Sequence, residues 1–276
     1  MDIEIIDVNL TAKEKKDIRI LLDRQSKSIN NDIEQIWHLL DLVWDDNKCD
    51  NKKLNWKNIG KFYSHPAWLL NGLLTEEDET SMGRRHAISN WIIKNTFMNV
   101  VDYGGGFGTL ARLVAQKNKN LQMSIYEPHP SEFGLKRASE FENIKIITKL
   151  ENRYDCLMSM DVLEHVPDPL KDFADMINSV KLNGYLVVAN AFYPMVKCHL
   201  PQNFHFRYTF NQFAKMMGLE VIGILDGSHA TIFKKVVEIE PKWNKIRLLE
   251  KLSKLAFPLV EVLRPILGPI KSLLFK

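Results

Sequence analysis

Cysteine is scarce in this chain and follows no pattern. Cys49, Cys156 and Cys198 are its three cysteines. An odd number, widely spaced and without a CxxC pair, argues against a disulfide framework or a zinc site and fits a reducing cytoplasm. Net charge is small, +3 over 276 residues, which argues against nucleic-acid binding. The opening MDIEIIDVNLTAKEKK has early acids and no apolar run before a small-residue cleavage site, so it is not read as a secretory signal. Internal repeats and low-complexity tracts are absent. What is there is an ordinary globular composition, 45% hydrophobic and 26% charged, enough for one large domain or two small ones.

Three regions differ in pattern. Residues 1–96 read as a helical cap or lid. In NNDIEQIWHLLDLVWDDN, the residues Ile33, Ile36, Trp37, Leu40, Val43 and Trp44 recur at helical spacing, with Asn31 or Asp32 as the cap. The aromatic stretch KFYSHPAWLLNGLLTEEDETS is expected to be interrupted at Pro66 and Gly72. A helical face then resumes through Ile88, Trp91 and Ile92. Residues 97–238 alternate strand and helix, from MNVVDY and TLARLVAQ to GYLVVANAF and TFNQFAKMM. They end in two strands flanking Asp226-Gly227, which is hairpin-turn chemistry. This order predicts an α/β fold, a doubly wound, mostly parallel seven-stranded sheet with a terminal antiparallel hairpin.

Residues 239–276 form the third region, a basic amphipathic tail. From Lys242 onward it carries eight basic and two acidic residues, a net +6, so the rest of the chain is −3. Glu261, Arg264 and Lys271 interrupt its apolar run and argue against a membrane span. Pro258, Pro265 and Gly268-Pro269 are expected to divide it into short helices. Their apolar face is read as Trp243, Leu249, Leu252, Phe257, Leu263, Leu267 and Phe275. Two partners stay open for that face: an anionic membrane surface, or the protein's own body or a second subunit in a homodimer.

The glycines carry the strongest signal. Of thirteen, Gly104, Gly105, Gly106 and Gly108 fall between a strand-like run and a helix-like run. In parallel sheets, ligands bind at the carboxyl ends of strands. Glycines there let the backbone close on a ligand, while the helix start offers free N–H groups. A dinucleotide fingerprint G-x-G-x-x-G read from Gly104 needs glycine at 109, where Thr109 stands. The spacing is instead Gly104-x-Gly106-x-Gly108, preceded by Asp102.

The segment VVDYGGGFG resembles the first motif, D-x-G-x-G-x-G, of the class I S-adenosylmethionine-dependent methyltransferases. That resemblance implies a Rossmann-like fold and S-adenosyl-L-methionine as cofactor, with Asp102 organising the glycine loop. It assigns Glu127, in SIYEPHP after the second strand, to the ribose hydroxyls, and Pro128 to the neighbourhood of the adenine. Many members carry an acid after the third strand; here Lys149 and Leu150 stand near that place, so no acid is assigned.

MSMDVLEHVPDPL resembles the LEHV-x-D-P segment of one branch of these enzymes. The resemblance places Asp161 at the end of the fourth strand, beside the transferable methyl. His165 has three readings: a general base for a hydroxyl acceptor, a hydrogen bond holding the loop, or a metal ligand together with Asp161 and Glu164, as in some relatives. Asp161 is the alternative base. The acceptor is expected between the N-terminal region and the loop NAFYPMVKCHLPQNFHFRYTF. There His199, His205 and Arg207 are candidate contacts, with His205 and Arg207 on one face of an extended stretch and Thr209 capping the next helix. From the N-terminal region, His65, Arg84, Arg85 and His86 are lid candidates.

These features point to an S-adenosylmethionine-dependent O-methyltransferase acting on a small molecule, sugar or surface glycan, cytoplasmic or at the inner face of the membrane. Two rivals stand beside it. An NAD-dependent oxidoreductase is disfavoured by Thr109 and by DVLEHVPDP. A non-catalytic assembly domain keeping the cofactor fold is disfavoured by the intact glycines and Glu127.

Overall fold

The computed structural model describes residues 10–151 and 154–274, with side chains described as far as 263. Seven strands form one sheet: β1 (Asn99–Tyr103), β2 (Gln122–Tyr126), β3 (Ile144–Ile147), β4 (Tyr154–Met160), β5 (Val180–Ala189), β6 (Leu219–Ile224) and β7 (Thr231–Lys235). Their order is β3-β2-β1-β4-β5-β7-β6. The first five are mutually parallel, and β7 runs antiparallel to β5 and β6. The expected sheet and terminal hairpin are therefore present. Val100 and Val101 in β1, and Cys156, Leu157 and Met158 in β4, are fully buried. Successive side chains point to opposite faces, so a central strand covered on both sides reads as an unbroken apolar run.

Five helices precede the sheet: α1 (Ala12–Leu22), α2 (Asp32–Asp46), α3 (Trp56–Tyr63), α4 (Ala67–Glu77) and α5 (Glu79–Lys94). Between strands lie α6 (Thr109–Lys117), α7 (Glu132–Ser139), α8 (Pro169–Ser179) and α9 (Phe206–Met216), and α10 (Trp243–Leu274) follows β7. Local chemistry starts several of them. Thr11 and Glu14 form a reciprocal capping box on α1. The Asn31 side chain caps α2. Asp168 accepts the Lys171 N–H at 3.1 Å, with Pro169 at the first position of α8.

One sheet face packs Phe173, Phe206, Phe210, Phe213 and Phe233 under α8 and α9. The other packs Ile88 and Ile92 of α5 and Leu110 and Val114 of α6 against Val100 and Met123. A third cluster joins the N-terminal helices to one another and, through Phe133, Val196 and Cys198, to the loops above the sheet. Glu76 of α4 fastens this cover, accepting from Thr109 at 2.7 Å, from Arg137 at 3.0 Å and from Arg112.

Three local expectations are corrected. Gly72 does not interrupt α4; an added Cβ would collide with the Phe107 ring, so the glycine admits the loop residue against the helix. Thr209 lies inside α9 and donates to the His205 carbonyl, as a hydroxyl one turn into a helix does. The stretch before it is helical, not extended. The tail is one helix running through Pro258, Pro265 and Pro269. An interior proline deletes one hydrogen bond at a cost of about 3 kcal/mol or more but need not end a helix held by other contacts.

Those contacts come from the body. Ile246 is fully buried, with Trp243 and Leu249 against the same core. Ser253 meets His205 at 2.8 Å and Thr209 at 3.1 Å. Phe257 and Glu261 receive the Arg207 guanidinium, 5.1 Å from the ring centroid and 3.1 Å from the carboxylate. The apolar face is thus divided differently from the sequence expectation. Trp243, Leu249 and Phe257 face the body, whereas Leu248, Leu252, Leu255, Leu259 and Val262 are exposed. Phe275 lies outside the described residues, as does the side chain of Leu267. Among the described residues no helix is long and apolar enough to cross a membrane.

If α10 belongs to the fold, Ile246→Ala lowers stability by about 2–5 kcal/mol, the cost of truncating a buried aliphatic side chain. Leu255→Ala, at a position 70% exposed, changes it by less than about 0.5 kcal/mol. Urea unfolding of both variants checks this.

Candidate active site

Strand order reverses between β1 and β4, and the loops leaving their carboxyl ends diverge to open a crevice. The glycine loop forms one wall. Gly104, Gly106 and Gly108 all have positive φ, 70°, 55° and 82°, where a side chain is strained. Two of them are also confined. A Cβ on Gly104 would stand 2.7 Å from Val162, and one on Gly108 2.6 Å from Ile125. Gly105 lies against the Asp102 carboxylate, 2.6 Å from where its own Cβ would be. Gly106 differs: its Cβ would enter open space. The loop is packed from behind and bare in front, a cradle for a ligand.

Glu127 closes the second side. Its backbone N–H donates to Ile147 at 3.0 Å, and its carboxylate accepts the His129 N–H at 3.2 Å. Burial raises its pKa, opposed by the His129 and Gly106 N–H groups and the charge of His129. Asp102 beneath the loop is buried, and burial raises its carboxyl to about 7 against the pull of Arg85 and the Ala111 N–H. Pro128 follows Glu127 directly, at the rim.

Asp161 ends β4 with φ 54°. Its N–H remains tied to the Ala189 carbonyl at 2.9 Å, so the turn begins at the sheet edge. The side chain is 42% exposed, and Oδ1 accepts from His229 Nε2 at 3.2 Å. Burial alone would raise its pKa; the His229 hydrogen bond and charge, with Arg85 and His165, bring it below the ordinary value. Behind it Glu164 is fully buried, and burial together with the Asp161 charge lifts its carboxyl to about 8. His165 packs edge-on against Trp68 and Tyr63. Burial and the neighbouring His199 depress its pKa to about 3.

A family model described as a methyltransferase domain matches residues 78–217, a span that includes the loop, Glu127, Asp161, His165 and His199. The chain belongs to the class I S-adenosylmethionine-dependent methyltransferases. Solved structures similar to this methyltransferase include the CurJ carbon methyltransferase, at 11% identity over 59% of this chain and 57% of that one, with a TM-score of 0.48. Another is an O-methyltransferase from a polyketide synthase multienzyme of Brevibacillus brevis in complex with S-adenosyl-L-homocysteine, at 15% identity over 51% and 52%, TM-score 0.42. A third is the mitomycin 7-O-methyltransferase MmcR, at 13% over 72% and 66%, TM-score 0.47. The chain spans little more than half of the first two. No curated protein matches its sequence.

The methyltransferase fold brings Asp102, the four glycines, Glu127, Pro128 and Asp161 around one crevice, and the cradle at Gly106 fits a bound cofactor. His199 joins His165, their rings 4.7 Å apart. His205 and Arg207 go elsewhere, bonded to Ser253 and Glu261 of α10. Two participants escaped the sequence reading. His229 lies in the β6–β7 connection, whose only local signal is the Asp226-Gly227 turn. Arg85 was visible only as part of a basic lid segment; its charge acts on both Asp102 and Asp161.

The raised Asp102 pKa has a definite sign. Its unfolded carboxyl ionises near 3.9 and the folded one near 7, so stability is lost as pH rises between them. From pH 5 to 8 the ligand-free enzyme loses about 2–3 kcal/mol relative to Asp102→Asn. Urea unfolding of both at the two pH values measures it.

Proposed function

We propose that this methyltransferase acts on an oxygen of a small polar acceptor, a sugar or glycan-type hydroxyl. The observation that carries the reading is Asp161, a partly exposed carboxylate directly after β4 whose Oδ1 accepts from His229 Nε2 at 3.2 Å. The cofactor, when bound, supplies an electrophilic methyl group for in-line displacement. Catalysis then rests largely on alignment. In this reading Glu127 holds the ribose hydroxyls with Pro128 beside the adenine, and the glycine N–H groups and Arg85 receive the carboxylate end.

Asp161 accepts the hydrogen bond of the acceptor hydroxyl and so orients its lone pair. As that oxygen bonds to carbon it becomes strongly acidic, and a weakly basic carboxylate suffices to take its proton. His165 suits the role less well, since its depressed pKa makes it the poorer base. Tyr63, Trp68 and Tyr193 supply aromatic surface near the crevice, which suits a sugar's apolar face. Incubation with methyl-labelled cofactor, cell extract and glycan precursors tests the reading. Label is expected in small polar products as alkali-stable ethers, at a rate about 10²–10⁴ lower for Asp161→Asn. Label confined to protein or nucleic acid counts against it.

The exposed side of α10 supports a membrane-surface reading for the tail. Leu248, Leu252, Leu255, Leu259 and Val262 form a narrow stripe flanked by Lys245 and Lys251. Glu261 is paired with Arg207 of the body and Glu250 with Arg247 and Lys254 of its own helix, so the flanks lack the alternating charge that would pair two copies. Each lysine near an anionic surface adds about 1 kcal/mol. Salt-sensitive co-sedimentation with anionic vesicles is expected, and Leu252→Ser with Leu255→Ser abolishes it. A full chain that stays in the supernatant at low salt refutes this reading.

A further inference from the structure

Three side chains that the methyl-transfer reading does not use converge beside the crevice. Glu164 is fully buried. Its Oε1 accepts the Ala191 N–H at 2.8 Å, but its equally buried Oε2 has no partner among the described residues. Leaving such an oxygen unpaired costs about 1–3 kcal/mol or more, so it calls for a partner.

The two neighbours offer what Glu164 lacks. His165 Nδ1 lies 3.3 Å from the Cys198 carbonyl, and His199 Nδ1 lies 2.7 Å from the Tyr193 carbonyl. A carbonyl only accepts, so each Nδ1 carries the proton and each Nε2 keeps a bare lone pair. One ligand atom from each of the three residues lies within 4.8 Å of the others. Zinc bonds of about 2.0–2.2 Å at tetrahedral angles set ligand atoms about 3.4 Å apart, so the three side chains draw together to hold an ion.

We propose that Glu164 Oε2, His165 Nε2 and His199 Nε2 together bind one divalent transition-metal ion of the zinc type. Two imidazoles with one carboxylate suit zinc, whereas magnesium and calcium take oxygen ligands. The Ala191 N–H and the two carbonyls are the outer hydrogen bonds that orient such ligands. This set differs from the Asp161, Glu164 and His165 set that the family resemblance implies. Asp161 Oδ1 is already engaged by His229, and His199 stands in its place. The scarcity of cysteine argued against a zinc site; this proposal departs from that expectation, because its ligands are one carboxylate and two imidazoles and no thiolate. A three-ligand ion keeps an open position, available to an acceptor oxygen. The metal site does not depend on the acceptor reading.

The test is uptake of Zn²⁺ by the metal-stripped full chain in competition with a chromogenic chelator. One equivalent is expected. Glu164→Gln and His199→Ala each weaken binding by more than the about 10–100-fold that loss of an outer partner costs. Asp161→Asn changes it by less than either substitution does. Cooperative thermal unfolding of each variant confirms the fold. Where a variant fails to fold, the Co²⁺-loaded wild type decides: two paramagnetically shifted, exchangeable imidazole N–H resonances are expected, one for each Nδ1–H. A wild type that takes up no Zn²⁺, uptake that survives both substitutions, equal loss in Asp161→Asn and His199→Ala, or a Co²⁺ spectrum without those resonances overturns the proposal.

Discussion

The parallel pairing of β1 with β4 is the constraint on which the rest depends. Val100 through Tyr103 align with Cys156 through Ser159, although β2, β3 and two helices separate them in the chain. Each strand delivers its loop to the same edge of the sheet, and the chain leaves the two in opposite lateral directions. The glycine loop and Asp161 therefore face each other across a gap that neither creates alone. Glu127 completes it because β2 pairs with β1 on the other side, Asp102 opposite Ile125.

The cover over this gap is fastened by charge as well as by apolar packing. Glu76 draws Thr109, Arg112 and Arg137 together, tying α4 to α6, which the glycine loop opens, and to α7, which follows β2. Phe107 enters beside Gly72, and Gly134 lies against the Phe107 backbone. The same helices bring Tyr63 and Trp68 onto His165. The N-terminal region thereby becomes part of the crevice, and the loop after β5 supplies the remaining side with Tyr193, Cys198 and His199.

Burial decides the chemistry of the acids and histidines more than their identity does. Asp161 and Glu164 are three residues apart, yet one is held below its ordinary pKa by His229 and the other is raised to about 8 by burial and by the Asp161 charge. His199 and His205, both written into one loop, part company. One turns to His165, and the other is taken by Ser253.

The sequence by itself determined the sheet, the succession of strands and helices along the chain, and the glycine loop after β1. These rest on local signals: apolar runs of strand length, glycines where φ must be positive, and an acid directly after β2. The Asn31 cap was legible for the same reason, since its hydrogen bond reaches only three residues. Tertiary structure decided which histidines meet, that His229 holds Asp161 from 68 residues away, and that α10 continues through its prolines. Spacing along a strand or helix cannot show contacts between segments that only the packed sheet and its cover bring together.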